Sequence, residues 1–138
     1  MLTSAAMAPE RVLVVDDSEP VRSLVVQALR HHGFMVFEAD AGTTALRVAF
    51  DVRPALAIID QWMPQMTGAE LIRLLRAAPV PEIRTMAIIG LSGRAGSERE
   101  LIGAGAGSFL SKPFGEPELL VAVRAALGLA TKHRSGAA

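Results

Sequence analysis

The chain has 138 residues, 51 % hydrophobic and 20 % charged, and fourteen basic residues balance fourteen acidic ones. That size and composition fit one globular domain with a buried core and exclude a disordered chain, while zero formal net charge gives no global pull toward nucleic acid or an anionic membrane. The absence of cysteine excludes disulfides, thiolate catalysis and thiolate metal sites. No apolar run approaches the roughly 20 residues that cross a bilayer. The start "MLTSAAMAPE" lacks the basic and apolar regions of a signal peptide. The expectation is a cytoplasmic domain over residues 10–128, with tails at 1–9 and 129–138 and no nucleic-acid or membrane partner.

In chain order, "RVLVVDD" (11–17) is a β-branched run closed by two aspartates and predicts a fully buried strand. Ser18 can cap the next helix, with Pro20 in its first turn; Val21, Leu24, Val25, Ala28 and Leu29 recur at helical spacing, and Gly33 follows as a stop. "MVFEA" (35–39) predicts the second strand, and Asp40 is positioned to cap the helix carrying Ala45, Leu46 and Ala49. "ALAIID" (55–60) predicts the third strand. Thr67 and Glu70 have capping-box spacing ahead of Leu71, Ile72, Leu74 and Leu75. "TMAIIGLS" (85–92) predicts the fourth strand, and Ser97 with Glu100 repeats the capping-box spacing before "GAGAG" (103–107). "SFLSK" (108–112) predicts the fifth strand and "EPELLVAVRAAL" (116–127) the last helix. Strands alternating with helices imply right-handed βαβ units and a parallel sheet covered on both faces.

On this layout the polar residues collect at one edge. Asp16 and Asp17 close the first strand, Asp60 the third, Ser92 the fourth and Lys112 the fifth. In open α/β sheets ligands bind at the carboxyl ends of the strands, where the strand order reverses. In a 2-1-3-4-5 order, strands one and three are neighbours there, which brings three carboxylates together. Such a group is tolerable when a cation neutralises it or one member is protonated. Oxygen ligands without histidine or cysteine select a hard divalent ion, and an incomplete carboxylate cage suits Mg²⁺ (or Mn²⁺), which keeps waters and takes a phosphate oxygen. A hydroxyl and an ammonium add donors for a phosphoryl group. Asp60 is then the expected nucleophile, forming an acyl phosphate.

The runs "VLVVDDS", "IIDQWMPQMTG", "IIGLS" and "FLSKPF", in this order, resemble the receiver domain of bacterial response regulators over about residues 10–128. The resemblance implies a doubly wound, flavodoxin-like (βα)₅ fold with a five-stranded parallel sheet in the order 2-1-3-4-5. It implies transfer of a phosphoryl group to Asp60 from a histidine kinase or a histidine phosphotransfer protein. It further implies that Asp17, Asp60 and the backbone carbonyl of Trp62 ligate Mg²⁺ directly, with Asp16 acting through water. Ser92 and Lys112 would grip the phosphoryl oxygens, Phe109 would turn inward on activation, and the Lys112–Pro113 bond would be cis.

Each residue taken singly has a plainer reading. A strand-end aspartate is most often a cap, Phe109 alone is more often core, and Met63 and Met66 pack the loop. The set carries the weight. Three features depart from the family pattern. Ser92 stands where threonine is commoner. Five glycines between 93 and 107 flank a helix expected to be short and mobile. Trp62 sets a bulky ring two residues beyond Asp60, where it would either shield an acyl phosphate from water or lie on the surface. The last helix is apolar nearly all round, which suggests a homodimer or partner contact through its outer side. Rival readings are the receiver half of a longer DNA-binding regulator, an aspartyl phosphatase of the haloacid dehalogenase type, and an unphosphorylated interaction module. The phosphatase class needs D-x-D after strand one, which "DDSEP" does not supply.

Overall fold

The computed structural model describes residues 8–129, so the two expected tails lie almost wholly outside the described residues. Five strands run β1 (Arg11–Val15), β2 (Met35–Ala39), β3 (Leu56–Asp60), β4 (Ala87–Ser92) and β5 (Ser108–Ser111). The helices between and after them are α1 (Glu19–His31), α2 (Gly42–Val52), α3 (Gly68–Arg76), α4 (Pro81–Arg84), α5 (Ser97–Ala104) and α6 (Glu116–Leu127). All strand pairs are parallel, in the order β2-β1-β3-β4-β5.

Alternation along the central strands divides the core between the two faces of the sheet. Leu13 and Val15 of β1 and Ala57 and Ile59 of β3 pack with Leu71, Ile72, Leu75 and Leu101 of α3 and α5. Val12, Val14, Leu56 and Ile58 point the other way and pack with Val25 and Leu29 of α1 and Leu119 and Val123 of α6. Continuous apolar strands are what a sheet buried on both faces requires.

The ends of the elements follow their capping chemistry in part. Ser18 Oγ accepts from Val21 N at the start of α1, and Gly33 lies just past its end at φ +91°. Thr67 and Glu70 form the full capping box of α3. Gly68 inside that box is obligatory, because a Cβ there would meet the backbone carbonyl of Asp60.

Two expected caps are corrected. Asp40 does not cap α2: the residue before the helix is Ala41, with no side-chain cap bond, and Gly42 opens the helix against the Met66 side chain. Ser97 does not form a box with Glu100, because Gly96 takes the cap position at φ +88° and Ser97 enters the helix with its side chain buried. The flanking glycines leave α5 eight residues long. An additional short helix, α4, was not expected; Pro81 at its first turn, Glu82 and Arg84 supply its end chemistry. Its neighbour Arg76 ties this corner together, donating to the carbonyls of Arg84, Met86 and Gly105. Strands β1, β3, β4 and β5 are each one or two residues shorter than the apolar runs that announce them.

Candidate functional site

Register brings the carboxylates together. Val15 of β1 pairs with Ile59 of β3, so Asp16 and Asp60 leave the sheet side by side, with Asp17 next along the chain. Across β4 the ladder ends with Ser92 opposite Ser111, and Lys112 N donates to Ser92 O at 3.0 Å, which aims the following lysine over the same edge. Ligand oxygens of Asp16, Asp17 and Asp60 all lie within 4.8 Å of one another, Asp16 and Asp60 buried and Asp17 exposed. Lys112 Nζ stands 2.9 Å from Asp60 Oδ1 and 3.0 Å from Asp16 Oδ2.

Each group is held from behind. Asp16 Oδ1 accepts from Ser18 N at 2.9 Å, and its backbone carbonyl accepts from Arg22 Nη1 at 2.7 Å. Its Oδ2 is buried and has no hydrogen-bond donor; the Lys112 ammonium is close enough for an ion pair but is not aligned to bond it. Asp60 is only 4 % exposed. Burial raises its pKa above the ordinary value, the Lys112 hydrogen bond opposes that rise, and Asp16 and Asp17 add to it. Burial acts to lower the Lys112 pKa, but its close contacts with the Asp60 and Asp16 carboxylates outweigh this and raise it.

The remaining predicted residues lie around this centre. The Lys112–Pro113 bond is cis. Phe109 of β5 is partly buried against the core cluster on the α3 and α5 face. Ser92 is buried, but its hydroxyl donates to Ser97 Oγ at 3.0 Å and accepts from Arg94 N at 3.1 Å. Trp62 is 40 % exposed. Its indole Nε1 donates to Ser97 Oγ at 3.0 Å, and the Arg94 guanidinium stacks 4.7 Å from the ring centroid.

Sequence reasoning missed Gln61. It is fully buried directly after Asp60; its Oε1 accepts from Ala69 N at 2.8 Å and its Nε2 donates to Glu100 Oε1 at 3.0 Å. A lone glutamine in a loop carries no signal of burial. Ser97 was read as a cap, and its link to Trp62 was not legible.

With the fold and this edge described, comparison with known proteins is decisive. The model of the response regulator receiver domain matches residues 12–124. The chain belongs to that family. This receiver domain is 36 % identical over 121 residues to the response regulator MprA of a Mycobacterium species, covering 86 % of this chain and 51 % of MprA. It spans about half the length of the curated relatives it matches. The chemotaxis response regulator CheY4 of Vibrio cholerae superposes with a TM-score of 0.80 at 31 % identity, covering 86 % of this chain and 99 % of that one. The receiver domain of a Pseudomonas aeruginosa sensor histidine kinase, solved with a magnesium ion coordinated in its active-site cleft, gives a TM-score of 0.81 at 27 % identity, covering 88 % and 99 %. The receiver domain thus has the flavodoxin-like (βα)₅ architecture, is a module of two-component signalling, and carries a buried aspartate cluster that fits a phosphoacceptor site.

Proposed function

We propose that this receiver domain accepts a phosphoryl group on Asp60 from a phosphohistidine of a histidine kinase or a histidine phosphotransfer protein. The observation that carries the reading is the buried Asp60 carboxylate held by Lys112 beside two further carboxylates. In the transfer, an Asp60 carboxylate oxygen forms the new bond to phosphorus while the phosphorus–nitrogen bond breaks. The imidazole leaves with that electron pair and keeps a proton-accepting nitrogen. Lys112 neutralises charge on the incoming phosphoryl oxygens, and Ser92 is the hydroxyl within the same edge that adds a neutral donor.

The donor set fits a hard divalent cation: three carboxylates, no histidine or cysteine among them, and one buried Asp16 oxygen without a donor. Asp16, Asp17, Asp60 and the Trp62 carbonyl would hold Mg²⁺ (or Mn²⁺), which supplies positive charge against the phosphoryl oxygens. Phe109, packed against the core cluster on the α3 and α5 face, is the proposed aromatic that moves when the loops after β3 and β4 rearrange. On this reading the domain is a cytoplasmic signalling protein whose only catalysis is on its own aspartate. No helix among the described residues is long and apolar enough to cross a membrane. Self-association through α6 rests mainly on Val121, its one large apolar side chain that is mostly exposed, at 56 %.

The test is phosphate-affinity electrophoresis after incubation with acetyl phosphate and Mg²⁺. A shifted band that disappears in Asp60→Asn or with a chelator supports the reading. No shift in the wild type favours an unphosphorylated interaction module. A second reading, the receiver half of a longer DNA-binding or enzymatic regulator, is favoured by the half-length coverage of MprA. The length of the encoding gene separates the two.

A further inference from the structure

Among the side-chain links between the segment after β3 and the segment after β4, one runs from Trp62 through Ser97 and ends on the Ser92 hydroxyl. Ser97 Oγ, only 1 % exposed, accepts two hydrogen bonds at 3.0 Å, one from the Trp62 indole and one from Ser92. Indole nitrogen is an obligate donor, so it occupies one acceptor site of Ser97 regardless of proton arrangement. Ser92 Oγ accepts from Arg94 N and gives its single proton to Ser97 Oγ. Among the described residues no hydrogen bond joins Ser92 to Asp60. The Trp62 ring is itself fixed from the solvent side by the Arg94 guanidinium.

We propose that Ser97 is a positioning residue: anchored by the Trp62 indole, it holds the Ser92 proton away from Asp60 until a phosphoryl group arrives. This rests on the reading of Asp60 as the phosphoacceptor. A hydroxyl has one proton, so Ser92 cannot donate to a phosphoryl oxygen and to Ser97 together. Grip on the phosphoryl group therefore requires the Ser92–Ser97 bond to break. The fourth-strand loop must release what the Trp62 ring, two residues from the acceptor, is holding. Trp62 thus does more than lie on the surface: its N–H sets the resting position of the switch hydroxyl. Both conformations exist in equilibrium, and the latch sets how much of the phosphoryl binding energy is spent on opening it.

The prediction is counterintuitive in sign. Removing the Ser97 hydroxyl should tighten binding of a phosphoryl mimic, by about fivefold, the worth of one net hydrogen bond. Titration calorimetry with beryllofluoride in the presence of Mg²⁺ reads this directly on wild type and Ser97→Ala. Unchanged or weaker binding by Ser97→Ala overturns the latch, while absence of binding by the wild type overturns the phosphoacceptor reading beneath it. Trp62 is the single tryptophan of the chain. Its indole N–H resonance in the ligand-free protein must therefore move in Ser97→Ala, and an unmoved resonance overturns the hydrogen bond itself. Trp62→Phe keeps an aromatic ring for Arg94 to stack on and removes the N–H together with the rest of the five-membered ring. It should tighten beryllofluoride binding in the wild-type background and add nothing on top of Ser97→Ala. Independent, additive effects of the two substitutions would also overturn the proposal. Because Trp62 is 40 % exposed whereas Ser97 is buried, Trp62→Phe carries the test even if Ser97→Ala fails to fold.

Discussion

Lys112 Nζ lies 2.9 Å from Asp60 Oδ1, reaching from the end of β5 across the end of β4 to β3. The same ammonium pairs with Asp16, so one cation serves two buried carboxylates. It occupies oxygens that a divalent ion would also use. Lys112→Gln should consequently separate two properties. Phosphorylation by acetyl phosphate should slow by about a hundredfold, the cost of removing one charge-stabilising donor. Affinity for Mg²⁺, followed through Trp62 fluorescence, should rise, because three carboxylates then lack a competing cation. A variant that merely misfolds would lose both.

The raised pKa of Asp60 has a signed consequence for stability. Burial lifts it above the ordinary 3.8, the lysine hydrogen bond pulls the other way, and Asp16 and Asp17 reinforce the rise. A group whose folded pKa exceeds its unfolded one binds its proton more tightly when folded. Its stabilising contribution is complete below the unfolded value and is lost as the pH rises through the folded one. Near neutral pH and without metal, ionised Asp60 is therefore a net cost. Asp60→Asn should melt a few degrees higher than wild type in chelator at pH 7. The advantage should shrink as the pH falls toward 3.8. Lys112, whose pKa is raised, stays charged throughout that range and does not confuse the comparison. Equal melting temperatures at pH 7 would show that the lysine offsets the burial in full.

Gly68→Ala tests how tightly α3 is pressed on the acceptor strand. The new methyl would meet the Asp60 carbonyl and the Gln61 backbone, neither of which can swing aside. Gly68 N also donates to Gln61 O at 2.9 Å, so the helix cannot back away without losing that bond. A loss of about 1–3 kcal/mol in urea unfolding is expected, as for overpacking elsewhere. Phosphorylation should be slowed more than global stability alone explains, since the displaced backbone is that of Asp60.

Arg76 predicts a failure of conservative replacement. Its guanidinium serves three carbonyls from two segments: Arg84 at 2.9 Å and Met86 at 2.6 Å in one, and Gly105 at 3.0 and 2.8 Å in the other. Arg76→Lys keeps the charge but offers no planar fork, so at least two carbonyls lose their donor. Chemical denaturation should register a loss of about 1–3 kcal/mol, close to that of Arg76→Met. Full stability in the lysine variant would show that charge alone suffices.

Much of this molecule was legible without coordinates because it is encoded locally. Runs such as "RVLVV" and "LAIID" are apolar without interruption, and only a sheet covered on both faces suits them. Ser18 and the Thr67–Glu70 pair cap the helices they precede, since such bonds close within three residues. The acidic edge and Lys112 followed from strand ends in a doubly wound sheet, which the register then joined. What tertiary structure alone decided is contact between segments distant in sequence. Ser97–Glu100 has the same spacing as Thr67–Glu70, yet Gly96 takes the cap and Ser97 faces Ser92 and Trp62, while Glu100 reaches Gln61. Gln61 and Arg76 look like ordinary polar residues until packing encloses them. A local pattern can state what a side chain is able to bond, but which partner it finds is set when the strands take their register and the loops close over them.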